Sequence, residues 1–278
     1  MRINRTLRLG IGAIAISLVA TACGGGSDAA TTDDHLREGK LTIGIKFDQP
    51  GLGFRDTDGS FQGYDVKIAE YVAGKLGVQP GGITYKEAPT ARREAMIMNG
   101  EVDFVVATYS ITDQRKEKVD FAGPYFVAGQ ALLVKVQTTD ITGVESLNGN
   151  KKLCSVTGST PAQYVKDNYA EDVQLVEVDT YSRCIDALRD GSVDAVTTDD
   201  IILAGFAGQA SGEFKLVGDT FTTEKYGIGL KKGDHETRAK INDAIEAMIA
   251  DGSWQKAFEE TIGPLRDSTL TPPTVDRY

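Results

Sequence analysis

Hydrophobic and polar positions follow two patterns from residue 40 onward, one typical of strands and one typical of helices. Short runs of β-branched residues, such as 41–45 and 102–107, are typical of buried strands. Between them, apolar residues recur three and four positions apart, as in the helix predicted after Gly63. The apolar face of that helix is made of Ala69, Val72, Ala73 and Leu76. This order of elements predicts an α/β fold with mostly parallel, doubly wound sheets.

Threonines mark the starts of two further helices. Thr90 is the predicted N-cap of a helix that runs through Met98, and Asn99-Gly100 ends it. Thr180 has the same role for a helix that ends at Arg189. Each helix therefore lies between two predicted strands.

Residues 99–110 and 190–200 repeat one pattern, in the letters NGEVDFVVATYS and DGSVDAVTTDD. Each copy contains a helix stop, a Val-Asp pair, a strand and a polar strand end. Because the elements around both copies also follow the same order, we expect two similar α/β lobes. Ligands of open α/β sheets bind beyond the carboxyl ends of the strands. The polar strand ends therefore predict a cleft between the lobes that closes on a small molecule.

The elements near the C-terminus have no counterpart in the second copy. They are a strand over 226–230 and helices over about 236–249 and 253–261. We therefore expect the chain to return to the first lobe, so that two crossing strands form a hinge. The predicted division is lobe 1 over 38–131 plus 225–265, lobe 2 over 132–224, and a C-terminal tail over 266–278.

Residues 1–22 have the composition of a signal peptide. Three arginines precede an uncharged apolar run over 9–22, which is too short to span a membrane. The run ends in Ala20-Thr21-Ala22-Cys23, which resembles a bacterial lipobox and implies cleavage before Cys23 and attachment of lipid, such as palmitate, to the chain at Cys23. A plain secretory cleavage site with an incidental cysteine is the alternative. Residues 23–37 are predicted to be a flexible, lipidated tether.

The charge of the chain excludes one class of partner. It has 30 basic and 40 acidic residues and a formal net charge of −10, and cleavage after residue 22 would remove three arginines and no acid. Nucleic-acid binding needs a basic face, so this acidity argues against such a partner. A few buried cations can still bind a small anion in an acidic protein.

Two cysteines remain if Cys23 carries lipid. In an extracytoplasmic protein, Cys154 and Cys184 suggest one disulfide. Two reduced core thiols or a metal pair are the alternatives. A metal pair would need further ligands, and the two histidines of the chain, His35 and His235, are far from both cysteines in the sequence.

Several motifs together resemble the polar amino-acid-binding proteins of ABC importers, bacterial solute-binding protein family 3. They are SITDQR at 110–115, VDF at 119–121, PY at 124–125, GYDV at 63–66 and NGEVD at 99–103. The resemblance covers about residues 38–264 and implies the two-lobed, type II periplasmic-binding-protein fold. KFDQPG at 46–51 and TARR at 90–93 resemble the glutamate-binding branch of that family.

The resemblance assigns roles at the common end of an amino-acid ligand. Arg115 is expected to hold the α-carboxylate, because a guanidinium binds a carboxylate through two hydrogen bonds. Ser110 would add a hydroxyl, the Thr108 carbonyl would accept from the α-ammonium, and Asp199 would be the counter-ion of that ammonium. From the residues alone, Arg115 could instead be a surface residue, and Asp199, like Asp200, the N-cap of a helix.

From the second lobe, Thr157, Gly158 and Thr160 are expected to bind the α-carboxylate through backbone amides. An ordinary capped turn is the alternative. At the side-chain end, Lys46 and Arg93 are expected to bind a second carboxylate, although Arg92 is adjacent and either cation could be solvated. These cations favour L-glutamate, with aspartate as the nearest competitor and glutamine as a weaker one.

The resemblance implies capture and transport without chemistry or a cofactor. The expected partners are the amino acid and the permease and ATPase subunits of an importer, with a monomeric protein anchored by lipid to the outer face of the cytoplasmic membrane. A dehydratase of cyclic carboxylic acids on the same fold is the enzyme alternative. The sequence has no Ser–His–acid set, no phosphate loop and no marked carboxylate pair. A ligand-sensing module that serves a receptor is the other alternative.

Overall fold

The computed structural model describes residues 31–147, 150–169, 173–265 and 270–278. The predicted signal peptide, Cys23 and the first part of the predicted tether lie outside these residues. The strands are β1 (Leu41–Ile45), β2 (Asp48–Gln49), β3 (Gly53–Arg55), β4 (Phe61–Gln62), β5 (Ile83–Glu87), β6 (Phe104–Val105), β7 (Val119–Ala128), β8 (Gln130–Lys135), β9 (Lys151–Val156), β10 (Val173–Val178), β11 (Ala195–Asp199), β12 (Phe214–Val217) and β13 (Glu224–Lys231). The helices are α1 (Thr32–Arg37), α2 (Tyr64–Lys75), α3 (Arg93–Met98), α4 (Asp113–Lys116), α5 (Thr160–Asn168), α6 (Tyr181–Asp190), α7 (Asp200–Gln209), α8 (His235–Ala250) and α9 (Ser253–Thr261).

Two five-stranded sheets organise the molecule. The first has the order β5-β1-β6-β13-β7 and the second the order β10-β9-β11-β8-β12. In each sheet one strand, β13 or β8, runs antiparallel to its neighbours, and the remaining strands share one direction. The predicted α/β fold with two mostly parallel sheets is confirmed, and both sheets are mixed.

The repeated sequence pattern occupies equivalent places in the two sheets. β6 and β11 lie within the two copies, and each is third in its sheet. Before each strand, a glycine with positive φ ends the preceding helix, at 68° for Gly100 and 84° for Gly191. Only glycine adopts this conformation readily, so the helix stops at the same point in both copies.

The chain crosses between the sheets twice. It passes from β7 to β8 through Gly129 and returns over residues 218–223 to β13. Among the described residues, we call those around the first sheet (31–128, 224–265 and 270–278) lobe 1 and those around the second sheet (130–147, 150–169 and 173–217) lobe 2. A Cβ on Gly129 would lie 2.7 Å from the Thr220 Cβ, so the two crossing segments pack against each other.

A disulfide joins two elements inside lobe 2. Cys154 on β9 bonds to Cys184 on α6, and both residues are fully buried in the apolar core. A loop that closes over a separation of 30 residues contributes roughly 3 kcal/mol to the free energy of unfolding when the unfolded chain is cross-linked.

The prediction of a flexible tether is wrong at its end. Residues 32–37 form α1, in which Thr31 and Asp34 make a reciprocal capping box. The His35 Nδ1 lies 2.7 Å from a carboxylate oxygen of buried Asp103, which ties α1 to lobe 1. The segment lacks an apolar stripe, so caps and this tertiary contact hold it rather than hydrophobic periodicity.

The end of the chain packs on lobe 1. The amide of Asp276 donates to the Gly123 carbonyl, and the amide of Phe121 donates to the Tyr278 hydroxyl. Arg277 forms ion pairs with Asp243 and Glu246 on α8.

Among the described residues, no helix combines the length and the apolar character that crossing a membrane requires.

Candidate functional site

A narrow cavity lies between the lobes, beyond the carboxyl ends of β6 and β11. Its lobe 1 wall is formed by Thr90, Arg93, Thr108, Ser110 and Arg115. Its lobe 2 wall is formed by Ser159, Thr160, Pro161, Tyr181, Thr198, Asp199 and Ile202. The structure thus brings six of the sequence-predicted site residues to one cavity: Arg93, Thr108, Ser110, Arg115, Thr160 and Asp199.

Arg115 lies in the wall and not on the surface. It belongs to α4, whose N-cap Thr112 accepts a hydrogen bond from the Arg115 amide, and 8% of the residue is exposed. Its guanidinium donates to the Ser110 carbonyl at 2.7 Å and, across the cleft, to the Gly158 carbonyl at 3.0 Å. The Glu94 carboxylate lies 3.5 Å from its Nε. This guanidinium therefore connects the two lobes across the cleft.

The strand end that carries Thr108 has an unusual backbone, with φ of 44°. The Thr108 amide donates to one oxygen of Asp65 at 2.9 Å, and the Tyr125 hydroxyl donates to the other at 2.8 Å. Burial raises the pKa of Asp65 to about 6. Asp65 belongs to the GYDV motif, so this motif shapes the cavity wall by holding Thr108 in the left-handed region.

Asp199 is buried with one oxygen unpaired. The Tyr226 hydroxyl donates to its Oδ2, whereas Oδ1 has no hydrogen-bond partner among the described residues. Burial, reinforced by the nearby charges of Glu224 and Asp200, raises the pKa of Asp199 to about 8. Asp199 stands at the N-cap position of α7, but its side chain makes no capping hydrogen bond. A buried, unpaired carboxylate is suited to a cationic group of a ligand.

Arg93 and Lys46 form a buried pair of cations. The Lys46 Nζ donates to the Thr90 Oγ1 at 2.6 Å, and an Arg93 Nη donates to the Ala107 carbonyl at 2.9 Å. Burial lowers the pKa of Lys46 to about 7 and that of Arg93 to about 10, and the charges of Arg93 and Arg115, respectively, add to these shifts. Because these hydrogen bonds go to a hydroxyl and a carbonyl, they neutralise neither charge.

Lys46 does not itself line the cavity. It lies behind Thr90, in a second narrow space that shares Thr90 and Tyr181 with the cavity. Thr90 was predicted to cap a helix through Met98, and this prediction is wrong. A 3-10 turn occupies Thr90–Arg92, α3 begins at Arg93, and the Thr90 side chain makes no capping hydrogen bond. The Thr90 hydroxyl instead links Lys46 to the cavity wall.

The three residues of the expected amide cradle make different contacts in the structure. Thr157 is exposed, and its amide donates to the Val178 carbonyl of the neighbouring strand at 3.0 Å. Gly158 presents its carbonyl to Arg115. The Thr160 hydroxyl donates to Glu224 at 2.8 Å. Thr157 is therefore not brought into the site, Gly158 serves as an acceptor, and Thr160 reaches the cavity.

Sequence reasoning missed six residues that line the cavity and Glu224 beside it; the six are Thr90, Ser159, Pro161, Tyr181, Thr198 and Ile202. Tyr181 directly follows the helix cap Thr180, and Thr198 precedes Asp199, so closeness to assigned residues was the available signal. Glu224 starts β13 and has no local signal. Within the described ranges, no group of three or more His, Cys, Asp or Glu side chains is arranged to hold a metal ion.

With this geometry in hand, comparison with known proteins decides the family. Residues 41–264 match the model of the bacterial extracellular solute-binding proteins, family 3. The chain belongs to this family. The resemblance carried by the motifs is therefore confirmed.

Individual relatives are similar over most of the chain. The glutamate-binding protein GluB of Corynebacterium glutamicum is 47% identical, with 91% of this chain and 89% of that protein covered. GluB of Corynebacterium efficiens is 46% identical, with 90% and 88% covered. A solved ancestral arginine-binding protein bound to glutamine is 37% identical with a TM-score of 0.76, and the match covers 81% of this chain and 98% of that one. The names of these three proteins all describe amino-acid binding.

Proposed function

We propose that this protein captures L-glutamate between its lobes and passes it to an ABC importer. The observation that carries the proposal is the charge arrangement around one small cavity. The carboxyl group of Asp199, with one oxygen unpaired, lies on one wall, and the buried Arg93 lies on the other. Lys46 lies behind Thr90 of that second wall, and neither cation has a neutralising hydrogen bond. A ligand with one cationic and two anionic groups matches this arrangement.

Each group of glutamate has a partner in this proposal. The α-ammonium pairs with the Asp199 Oδ1 and the Thr108 carbonyl. The α-carboxylate binds Arg115, Ser110 and Thr160, and in doing so it takes guanidinium hydrogen bonds that now go to backbone carbonyls. The side-chain carboxylate points toward Arg93 and Thr90, with Lys46 behind Thr90.

The buried cations favour glutamate over its competitors. Glutamine would bring a neutral amide and leave the charges of Lys46 and Arg93 buried without a counter-ion, which is costly. Aspartate has the charge but is one methylene shorter, which weakens binding by a smaller amount. The GluB proteins, named as glutamate binders and 46–47% identical to this chain, support the same ligand.

Calorimetric titration of the purified protein with the twenty L-amino acids tests this proposal. We expect the tightest binding with glutamate. Binding of glutamine alone would contradict the role of the buried cations, and turnover of a cyclic dienoic acid would favour the dehydratase alternative.

Arg115→Ala should abolish amino-acid binding and leave the circular dichroism spectrum unchanged. Lys118→Ala removes an exposed cation three residues further on and should bind as the wild type does. Unchanged glutamate affinity in Arg115→Ala would contradict the assignment of the site.

The cellular setting in this proposal follows from the first residues. Residues 1–22 act as a lipoprotein signal peptide, lipid at Cys23 holds the protein on the outer face of the cytoplasmic membrane, and the tether ends at Thr31. The boundaries between the lobes lie at the crossing segments, close to the expected positions 131/132 and 224/225. In this proposal the protein is a monomer when it delivers glutamate to the permease. Cys23→Ser should move the protein from the membrane fraction to the medium, and retention in the membrane would contradict the lipid anchor.

A further inference from the structure

One contact between the lobes lies outside the ligand cavity. Asp48 is in β2 of lobe 1, and Ser182 is in the first turn of α6 in lobe 2. The Asp48 Oδ2 accepts hydrogen bonds from the Ser182 hydroxyl at 3.0 Å and from the Ser182 amide at 3.3 Å. Both residues are half-buried, so water competes less for these bonds than it would on an open surface.

Neither residue lines the ligand cavity. Asp48 instead lines the narrow space beside it, together with Thr180 and Tyr181 of lobe 2 and Thr90 of lobe 1. Because Thr90 and Tyr181 border both spaces, an opening motion that separates them also separates Asp48 from Ser182. The contact between Asp48 and Ser182 therefore depends on closure of the lobes, although neither residue lines the ligand cavity.

Lobe 1 supplies a hydrogen-bond acceptor to the first turn of α6. Thr180 caps this helix by accepting from the Arg183 amide, and its hydroxyl lies 3.0 Å from the Ser182 hydroxyl. The Ser182 amide and hydroxyl donate to the Asp48 carboxylate of the other lobe. Amides at a helix N-terminus favour a negative charge, so closure supplies α6 with a partner that its own lobe does not.

We propose that Asp48 and Ser182 form a latch that holds the lobes closed and slows release of the bound amino acid. Both are positioning residues, since they act on the ligand only through the closed arrangement. A contact present only in the closed state raises the population of that state, and with it the apparent affinity. This inference rests on the proposed function in that the ligand is the amino acid held between the lobes.

Stopped-flow kinetics with glutamate tests the latch. Ser182→Ala removes the hydroxyl bond and leaves Asp48 in place. We expect its ligand dissociation rate to rise about three- to tenfold with an unchanged association rate, as for the loss of one ordinary hydrogen bond. Asp48→Asn should also raise the dissociation rate. The dissociation rate of the double variant should be no higher than that of the faster single variant. Ser182→Thr keeps the hydroxyl and should release the ligand at the slow rate of the wild type.

Asp179→Asn is the matched control. Asp179 lines the same narrow space, but its carboxylate pairs with Arg183 of its own lobe at 3.2 Å. It should release the amino acid at the wild-type rate. Unchanged release from both Ser182→Ala and Asp48→Asn, or equal acceleration in Asp179→Asn, would overturn the latch.

A second measurement separates the latch from the proposed ligand. If no amino acid binds, the proposed function fails, and small-angle scattering of the ligand-free protein decides on the latch. We then expect a larger radius of gyration for Ser182→Ala than for the wild type and Asp179→Asn. Equal radii for all three proteins would overturn it.

Discussion

Tyr226 on β13 of lobe 1 donates its hydroxyl hydrogen bond to Asp199 on β11 of lobe 2. Both side chains are buried, and the second carboxylate oxygen of Asp199 has no partner among the described residues. Lobe 1 thus occupies one oxygen of a lobe 2 carboxylate and leaves the other for the cavity. Contact between the lobes therefore satisfies one oxygen of the carboxyl group that we propose as the counter-ion of the ligand.

Asp199→Asn should weaken glutamate binding by about 10- to 100-fold, because the α-ammonium loses its charged partner in a buried site. The amide has nearly the same shape as the carboxyl group, so the fold should remain. Calorimetry of this variant measures the effect. The control is Asp194→Asn, which alters an exposed carboxylate directly before β11, the strand that ends at Asp199. Equal affinity in the two variants would contradict the assigned role.

The same carboxyl group predicts a pH dependence of stability. The pKa of Asp199 is about 8 in the folded protein and near 3.8 in the unfolded chain, so between these values the folded state holds a proton that the unfolded state has lost. The free energy of unfolding contributed by this group therefore falls as pH rises through that window. Asp65, with a pKa of about 6, contributes only to the lower part.

Urea unfolding of the ligand-free wild type and Asp199→Asn between pH 6 and 8 isolates the Asp199 contribution as the difference between the two proteins, because Lys46, with a pKa of about 7, titrates in both. Asp199→Asn carries no titrating group at position 199, so the free energy of unfolding of the wild type should fall relative to that of the variant as pH rises. Parallel pH profiles of the two proteins would show that this carboxyl group is not protonated near neutral pH.

Arg93 and Arg92 offer a matched pair of neighbouring cations. Arg93 is 2% exposed and lines the cavity, whereas the Arg92 side chain is 61% exposed and pairs with Glu101. Arg93→Gln should lower glutamate affinity by about tenfold or more and reduce the preference for glutamate over glutamine. Arg92→Gln should change neither. Loss of glutamate preference in Arg92→Gln alone would place the distal carboxylate at the neighbouring residue.

Gly205 on α7 makes a close approach between the lobes. A Cβ at this position would lie 2.3 Å from the Pro50 carbonyl oxygen of lobe 1. Alanine favours an isolated helix by about 1 kcal/mol over glycine, so Gly205→Ala should weaken glutamate binding through the clash even though the helix itself prefers alanine. Gly74→Ala on α2, where no atom lies within 4 Å of the added methyl group, should leave binding unchanged. Wild-type affinity in Gly205→Ala would show that α7 shifts freely.

The site was only partly predictable from the sequence. Arg115, Ser110 and Asp199 follow strand ends, and the carboxyl ends of parallel strands meet at one edge of a sheet, so their convergence could be predicted. Thr157 also follows a strand end, but it does not line the cavity. Its amide donates to the Val178 carbonyl of the neighbouring strand instead. Which backbone groups remain available depends on strand pairing, and spacing along the chain does not show it.

The sequence by itself determined the order of elements, the two similar lobes and the chemistry at the strand ends. These depend on local periodicity, helix stops and turn residues, which act over a few positions. The tertiary structure alone decided which distant side chains meet. Lys46 bonds to Thr90 across 44 positions and Asp48 to Ser182 across 134. Packing of the lobes makes these contacts, and no short-range pattern encodes them.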